Sequence, residues 1–430
     1  MSTQAKTVAF HTMGCKLNFS ETSTISRDFI KHGFEKVNYR DKADIYVINT
    51  CSVTENADKE ARKLIRQAKR RNPDSSIAVI GCYAQLKPDE IASMDGVDMV
   101  LGSAEKFNIL DHLDKMAMEQ DTTVLNSSMD NLNDFRPSFS IGDRTRSYLK
   151  VQDGCNYTCS FCTIPLARGR SRNADISSTI KIAREVIAQG AKEIVLTGVN
   201  VGDFGKGSNE TFQDLLIELE KLDDIKRIRI SSIEPNLLSQ EIIEFCHSSK
   251  LFMPHYHVPL QSGSNKILKA MRRRYDRAHY QSKVELIKSL TPDACIGADV
   301  IVGFPGETND DFLDTYNFIR DLDISYLHVF TYSERENTEA INYKNSIPKI
   351  HRSERSKMLH TLSNKKQRYF HEQFLGTTRD VLFESKKNGI IYGHSDNYIQ
   401  VKTPNSSDII NEIHPTNLKH VDGTTVVGHL

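Results

Sequence analysis

The chain is predicted to be an α/β protein in three parts: a small parallel α/β domain, a partial (β/α)6 barrel and a small C-terminal β-barrel. Three observations predict this. Short apolar runs alternate with amphipathic segments through the first two parts, the pattern of strand–helix repeats over parallel sheets. The middle of the chain holds six such repeats, too few for a closed eightfold barrel. Near the C-terminus the pattern changes to short alternating strands, as in small antiparallel barrels.

Bulk properties narrow the function classes. At 430 residues the chain is long enough for two or three domains. No apolar run approaches the length of a bilayer span, so no membrane partner is expected. Met1-Ser2-Thr3-Gln4-Ala5-Lys6 leads straight into a strand without a signal peptide's apolar segment. Thiols meant for metal imply a reducing compartment, and the expected location is cytoplasmic. With 56 basic and 56 acidic residues, any attraction for nucleic acid must come from local patches.

The first part, residues 5–120, carries apolar runs at Val8–Phe10, Ile45–Ile48 and Ile77–Ile80. Runs of that length between polar residues read as buried strands. Each is followed by a cysteine: Cys15, Cys51 and Cys82. In a parallel sheet the strands' C-terminal ends share one edge, where ligands bind. The three thiols can therefore meet around one metal centre, although any one of them taken singly reads as a buried core cysteine rather than a ligand. A helix is expected over Asn56–Arg71, with Ala57, Ala61, Leu64, Ile65 and Ala68 as its apolar stripe. Lys59, Arg62, Lys63, Arg66 and Arg70 lie largely opposite, as a solvated face or as a surface that steers polyanions. Residues 121–143 lack periodicity and read as a linker.

The second part, residues 144–372, has strand candidates at Tyr148–Val151, Ile194–Thr197, Ile228–Ser231, Tyr256–Val258, Cys295–Val302 and Tyr326–Phe330. Helical segments such as Ser178–Gln189 and Asp310–Arg320 lie between them. Just after the first strand comes Cys155-x3-Cys159-x2-Cys162. Soft thiolate ligands crowded this closely select iron–sulfur or zinc. Zinc sites usually show Cys-x2-Cys pairs and a fourth Cys or His. Three thiolates on a cubane cluster leave one iron open, as a catalytic metal requires. Cys246 and Cys295 sit in apolar surroundings and read as core. The basic segment Lys349–Arg368 reads as a helix leading out of the barrel, with phosphate contact or plain solvation as its role.

The third part, residues 373–430, shows strands around Asp380–Glu384, Gly389–His394 and Tyr398–Val401. Tyr392 and Tyr398 are candidates for stacking on bases. From Gly376 to Leu430 there are five basic and six acidic residues, so this part supplies little counterion-release affinity by itself.

The wording around the cysteines resembles one family. Gly14-Cys15-Lys16-Leu17-Asn18, Asn49-Thr50-Cys51, Gly81-Cys82-Tyr83-Ala84-Gln85 and the Cys155–Cys162 run are similar to the methylthiotransferases, a radical S-adenosylmethionine (SAM) family. Arg168–Arg172, Arg229–Glu234, Pro259–Ser264 and Asp299–Glu307 extend the likeness over nearly the whole chain. The resemblance implies two [4Fe-4S] clusters, one on Cys155, Cys159 and Cys162 with SAM, the other on Cys15, Cys51 and Cys82. It implies a SAM pocket near Phe161, Gly198, Ser232, Glu234, Gln261, Ile301 and Phe330, although Thr197-Gly198-Val199-Asn200 lacks the acid many relatives carry at that turn. It implies a TRAM-like RNA-binding domain at the C-terminus. It also implies insertion of sulfur and methyl into a C–H bond of a tRNA base in the anticodon stem-loop, with flavodoxin or ferredoxin as electron donor.

Lys16-Leu17-Asn18, where the isopentenyladenosine branch reads Gln-Met-Asn, favours the branch acting on N6-threonylcarbamoyladenosine over that branch and over the one acting on a ribosomal protein. The threonyl carboxylate calls for a cation, and Lys16, Arg168, Arg170 and Arg172 are the candidates. A non-catalytic iron–sulfur RNA-binding or redox protein is the rival class, and it leaves the open three-thiolate site unexplained.

Overall fold

The computed structural model describes residues 5–52, 54–113, 121–129, 132, 134–142, 145–404 and 408–430. Met1–Gln4 and part of the segment read as a linker lie outside these residues.

The first part is a six-stranded sheet in the order β2-β1-β3-β4-β5-β6, all its pairs parallel. Its strands are β1 (Thr7–Thr12), β2 (Glu35–Val37), β3 (Ile45–Thr50), β4 (Ser76–Gly81), β5 (Met99–Leu101) and β6 (Thr123–Leu125). All six residues of β3 are buried, because a parallel sheet is covered on both faces. Helix α1 (Lys16–Lys31) packs Ile25 and Phe29 on one face. Helix α2 (Glu55–Arg71) packs Ala61, Leu64, Ile65 and Ala68 on the other. Thr54 caps α2 by accepting from the Ala57 N–H. Strand β6 falls inside the segment read as a linker. Three residues carry too little periodicity to be seen, and the strand forms because β5 offers a free edge.

The second part has two three-stranded parallel sheets. One contains β7 (Arg146–Lys150), β8 (Glu193–Thr197) and β9 (Arg227–Ile230); the other contains β10 (His255–His257), β11 (Cys295–Val302) and β12 (Tyr326–Thr331). Parallel bridges Ile228↔Phe252 and Ser232↔His257 join β9 to β10. The result is the six-stranded open barrel expected. Cys246 and Cys295 are core residues.

The third part is a closed barrel in the order β13-β14-β15-β17-β16. Its strands are β13 (Thr378–Lys387), β14 (Ile390–Ser395), β15 (Gln400–Pro404), β16 (Ile413–Asp422) and β17 (Thr425–His429). It sits against the N-terminal strand ends of the large barrel. Arg227 and Arg229 donate to its carbonyls at Asp380, His394, Ser395 and Asp396. Tyr398, a candidate for stacking on RNA bases, does not face outward. Its ring stacks on His255 at 3.8 Å, with Arg229 over its face, so it belongs to this interface.

Helix Lys349–Glu372 links the barrels. Several of its cations are already engaged. Arg352 is buried against Glu334 and the Tyr332 carbonyl, Arg355 pairs with Glu307 at 2.5 Å, and Lys366 donates to the Arg320 and Leu322 carbonyls. This helix is a strut as much as a basic face. No helix among the described residues is long and apolar enough to cross a membrane.

Candidate active site

The first cysteine triad assembles from sheet topology. β1, β3 and β4 are neighbours, and Thr50 pairs with Gly81 across β3 and β4. Cys51 and Cys82 therefore leave adjacent strands at the same level. Cys15 stands at the N-terminus of α1, three residues past β1. Gly14 makes the approach possible. Its φ is +87°, and a Cβ there would lie 2.9 Å from the Cys51 Sγ. Asn18 ties the turn together by donating to the Met13 and Thr50 carbonyls at 2.9 and 3.0 Å. Cys82 is buried, which raises its pKa, while Arg168 and Lys106 oppose the shift and Cys15 is close enough to add to it.

The second triad lies in the loop after β7. Gly154 has φ +71°, and a Cβ there would meet the Arg170 carbonyl oxygen at 2.0 Å, so only glycine fits. Burial pushes the Cys155 thiol up to about 11 and the Cys162 thiol up to about 12, each raised further by Cys159. Every sulfur has an N–H donor: Tyr157 to Cys155 at 3.4 Å, Ile164 to Cys162 at 3.5 Å and Arg273 to Cys159 at 3.1 Å. None of the eight cysteines is in a disulfide. Three mutually close, half-buried thiols with donors aimed at their sulfurs are well suited as thiolates on metal.

A cavity of about 210 Å³ opens beside them, lined by Cys162, Phe161, Gln261, Ile301, Phe330 and, from the first part, Thr54. Four of the seven residues expected around the cofactor thus share one cavity. The other three have different partners. Glu234 is an ion partner of Arg273. Ser232 Oγ lies 2.7 Å from His257 Nδ1. Gly198 packs on Gln152, which donates to the Gly154 carbonyl at 2.7 Å. None of the three is among its lining residues.

The four cations expected at a substrate carboxylate separate. Arg168 is 1% exposed and lies between Glu21 Oε1 at 3.1 Å and Asp153 Oδ1 at 3.0 Å, with Asn18 accepting a further bond. Lys106 and Lys150 complete this buried cluster around Glu21. Arg172 is spent on Asp153 and on the Asp134, Arg168 and Arg170 carbonyls. Lys16 is half-buried near Tyr398, Arg146, Arg229 and Glu193, and desolvation lowers its pKa. Arg168 and Arg172 are therefore corrected from ligand contacts to internal partners, whereas Lys16 has no ion pair among the described residues. Arg170 keeps an exposed side chain.

Two residues carry no signal in the sequence. Arg273 touches the radical triad, and it is hidden in the run Arg272-Arg273-Arg274. Arg335 reaches across to Asp58 at 2.8 Å and to Ser52, the neighbour of Cys51. Its position after β12 has no local pattern to mark it.

Residues 7–102 match the family described as "Uncharacterized protein family UPF0004", and residues 149–319 match the Radical SAM superfamily. The chain is 39% identical to the threonylcarbamoyladenosine tRNA methylthiotransferase MtaB of Bacillus subtilis, over 95% of this chain and 92% of the relative. The chain belongs to the radical SAM methylthiotransferases. Within this family it is also 38% identical to the Aquifex aeolicus MtaB over 92% of its own length and 96% of the relative's. It is 29% identical to the tRNA-2-methylthio-N(6)-dimethylallyladenosine synthase of Endomicrobium trichonymphae, over 97% and 98% of the two chains. Among solved structures, the radical SAM methyltransferase TsrM of Kitasatospora setae superposes with a TM-score of 0.59 at 12% identity, covering 88% of this chain and 78% of that one. That likeness is one of fold. As a radical SAM methylthiotransferase the chain is an enzyme that uses SAM and [4Fe-4S] chemistry.

Proposed function

We propose that the chain converts N6-threonylcarbamoyladenosine in the tRNA anticodon stem-loop to its 2-methylthio form, in the cytoplasm, with flavodoxin or ferredoxin as electron donor. One observation carries the site assignment: the cavity beside Cys162 is also lined by Thr54, three residues past Cys51. A single bound base can then face both triads.

In this reading Cys155, Cys159 and Cys162 hold the SAM-binding cluster, and Cys15, Cys51 and Cys82 hold the second one. When bound, these groups supply the 5′-deoxyadenosyl radical and the sulfur. The chain's own residues position them. Arg273 and Glu234 brace Cys159, Phe161 and Phe330 wall the cavity, and the Glu21–Arg168–Asp153 cluster fixes one triad against the other. Arg170 and Lys16 are the cations left for the threonyl carboxylate. The closed C-terminal barrel serves as the TRAM-like RNA module, with Tyr392 rather than Tyr398 available to a base.

Nucleoside mass spectrometry of tRNA from a strain lacking the gene tests the substrate. Loss of 2-methylthio-N6-threonylcarbamoyladenosine, restored by the wild-type chain, is expected. In vitro, the reconstituted protein should hold about eight iron per chain. A Cys15/Cys51/Cys82→Ala variant should still form 5′-deoxyadenosine yet leave the RNA unthiolated. Stoichiometric zinc with little iron, or unchanged tRNA modification in the deletion strain, overturns the proposal.

A further inference from the structure

The lumen of the large barrel holds a group that neither triad uses. His257 on β10, Asp299 on β11 and His328 on β12 come from neighbouring strands. His257 Nε2 lies 3.2 Å from Asp299 Oδ1, and His328 Nδ1 lies 3.2 Å from the same oxygen. The two ring nitrogens are also 3.2 Å apart. The three atoms form an equilateral triangle.

Hydrogen bonding does not account for all three edges. A ring nitrogen that donates to Asp299 has no lone pair left to accept from the other ring. If neither carries a proton, their lone pairs oppose those of the carboxylate. One cation capping the triangle, above its plane, satisfies every edge. Ligand atoms held about 2.1 Å from one ion at tetrahedral or octahedral angles lie roughly 3.0–3.4 Å apart. His257 Nδ1 is 2.7 Å from Ser232 Oγ. Such an outer hydrogen bond fixes the ring and leaves Nε2 for a metal.

The surroundings suit a charged guest. Of the nearby cations, Arg146 is matched by Glu384 at 3.2 Å and Arg229 by Glu193 at 2.8 Å, while Lys16 has no ion pair among the described residues. His257 is buried, whereas the His328 side chain is 54% exposed, so the site has an open side. Asp299 also lines the cavity beside Cys162.

We propose that His257, Asp299 and His328 bind one divalent first-row transition ion, separate from both cysteine triads. Two imidazoles and one carboxylate on one side of an ion leave further positions for water or a ligand oxygen. No local pattern marks the site in the sequence, because its members lie on three different strands.

The test uses the cluster-reconstituted protein dialysed anaerobically against Co(II), with cobalt and iron counted per chain. One cobalt per chain is expected with iron unchanged. His328→Ala, which alters an exposed side chain, should abolish that cobalt, and Ser232→Ala should weaken binding by about tenfold. His360→Ala, on the linking helix, should leave it intact. Equal cobalt in the wild type and in His328→Ala, or cobalt gained only as iron is lost, overturns the assignment. Competition by Zn(II), Mn(II) and Fe(II) for the bound cobalt then ranks the natural ion.

Discussion

Three consecutive arginines meet three different fates. Arg272 pairs with Glu339 at the surface, Arg274 stacks on Tyr157 at 3.9 Å, and Arg273 turns inward to Cys159 and Glu234. A cationic N–H donor favours the more negative state of a sulfur-ligated centre, so it raises the reduction potential. Arg273→Met should keep the iron count and lower the potential of the SAM-binding cluster, read by an EPR-monitored redox titration; an unaltered potential would contradict this role. The cysteines are legible in the sequence because metal chemistry requires that residue type, at close spacing in Cys155–Cys162 and after successive strand runs at Cys15, Cys51 and Cys82. The arginines are not. Arg168-x-Arg170-x-Arg172 reads locally as an anion site, yet the Asn18 that accepts from Arg168 lies 150 positions away. Nothing in a short string tells a solvated guanidinium from one that a distant carboxylate has already claimed.

At the scale of elements, helix α1 is tied to the large barrel by buried charge. It carries Cys15 at its start and Glu21 in its second turn. Burial alone would raise the Glu21 pKa, but Arg168, Lys106 and Lys150 together hold it well below the usual carboxylate range. Asp153, two residues before Cys155, is held low in the same way, with Arg168 the leading cation. Replacing Glu21 by Gln leaves these cations under-compensated and should cost about 3–5 kcal/mol, measured by urea denaturation near neutral pH. The sign in acid follows. A carboxylate whose folded pKa is depressed stabilises fully above its ordinary value, 4.5 for Glu, and that stabilisation drains away as pH falls below it. The Glu21→Gln variant should therefore show a shallower loss of stability below about pH 4.5 than the wild type. Strands β1, β3 and β4, with three or four apolar residues in a row, are visible in the sequence. β2, β5 and β6, three residues each, are edge or near-edge strands specified by the neighbour they pair with.

On the scale of the whole molecule, attraction for tRNA must come from restricted surfaces. The small barrel has no excess of positive charge, and much of the linking helix is consumed internally. On α2, Arg62 is committed to Glu90 and Tyr83, and Lys59 to Glu55. Lys63, Arg66 and Arg70 are exposed, without an acidic side-chain partner among the described residues. If α2 guides RNA, replacing these three by Ala should weaken tRNA binding and flatten its salt dependence by about 0.7–0.9 for each phosphate no longer neutralised. A filter-binding series across salt concentrations measures this, and an unchanged slope would reduce the face to a solvated one. The three-part architecture is readable from the change in hydrophobic period along the chain. The way the parts dock is not, because Arg229, Tyr398 and Arg335 act across interfaces.

The Glu21–Arg168–Asp153 cluster also bears on how such enzymes can be recombined. The two triads look like separable modules, each in its own stretch of sequence. A chimera that joins this N-terminal part to a relative's barrel must bring matching partners for Glu21, or it inherits a buried anion with no cation. A barrel expressed alone would leave Arg168 and Lys150 without the Glu21 carboxylate. Shuffling across this boundary is therefore constrained by charge balance at one point, well away from either set of thiols' own spacing.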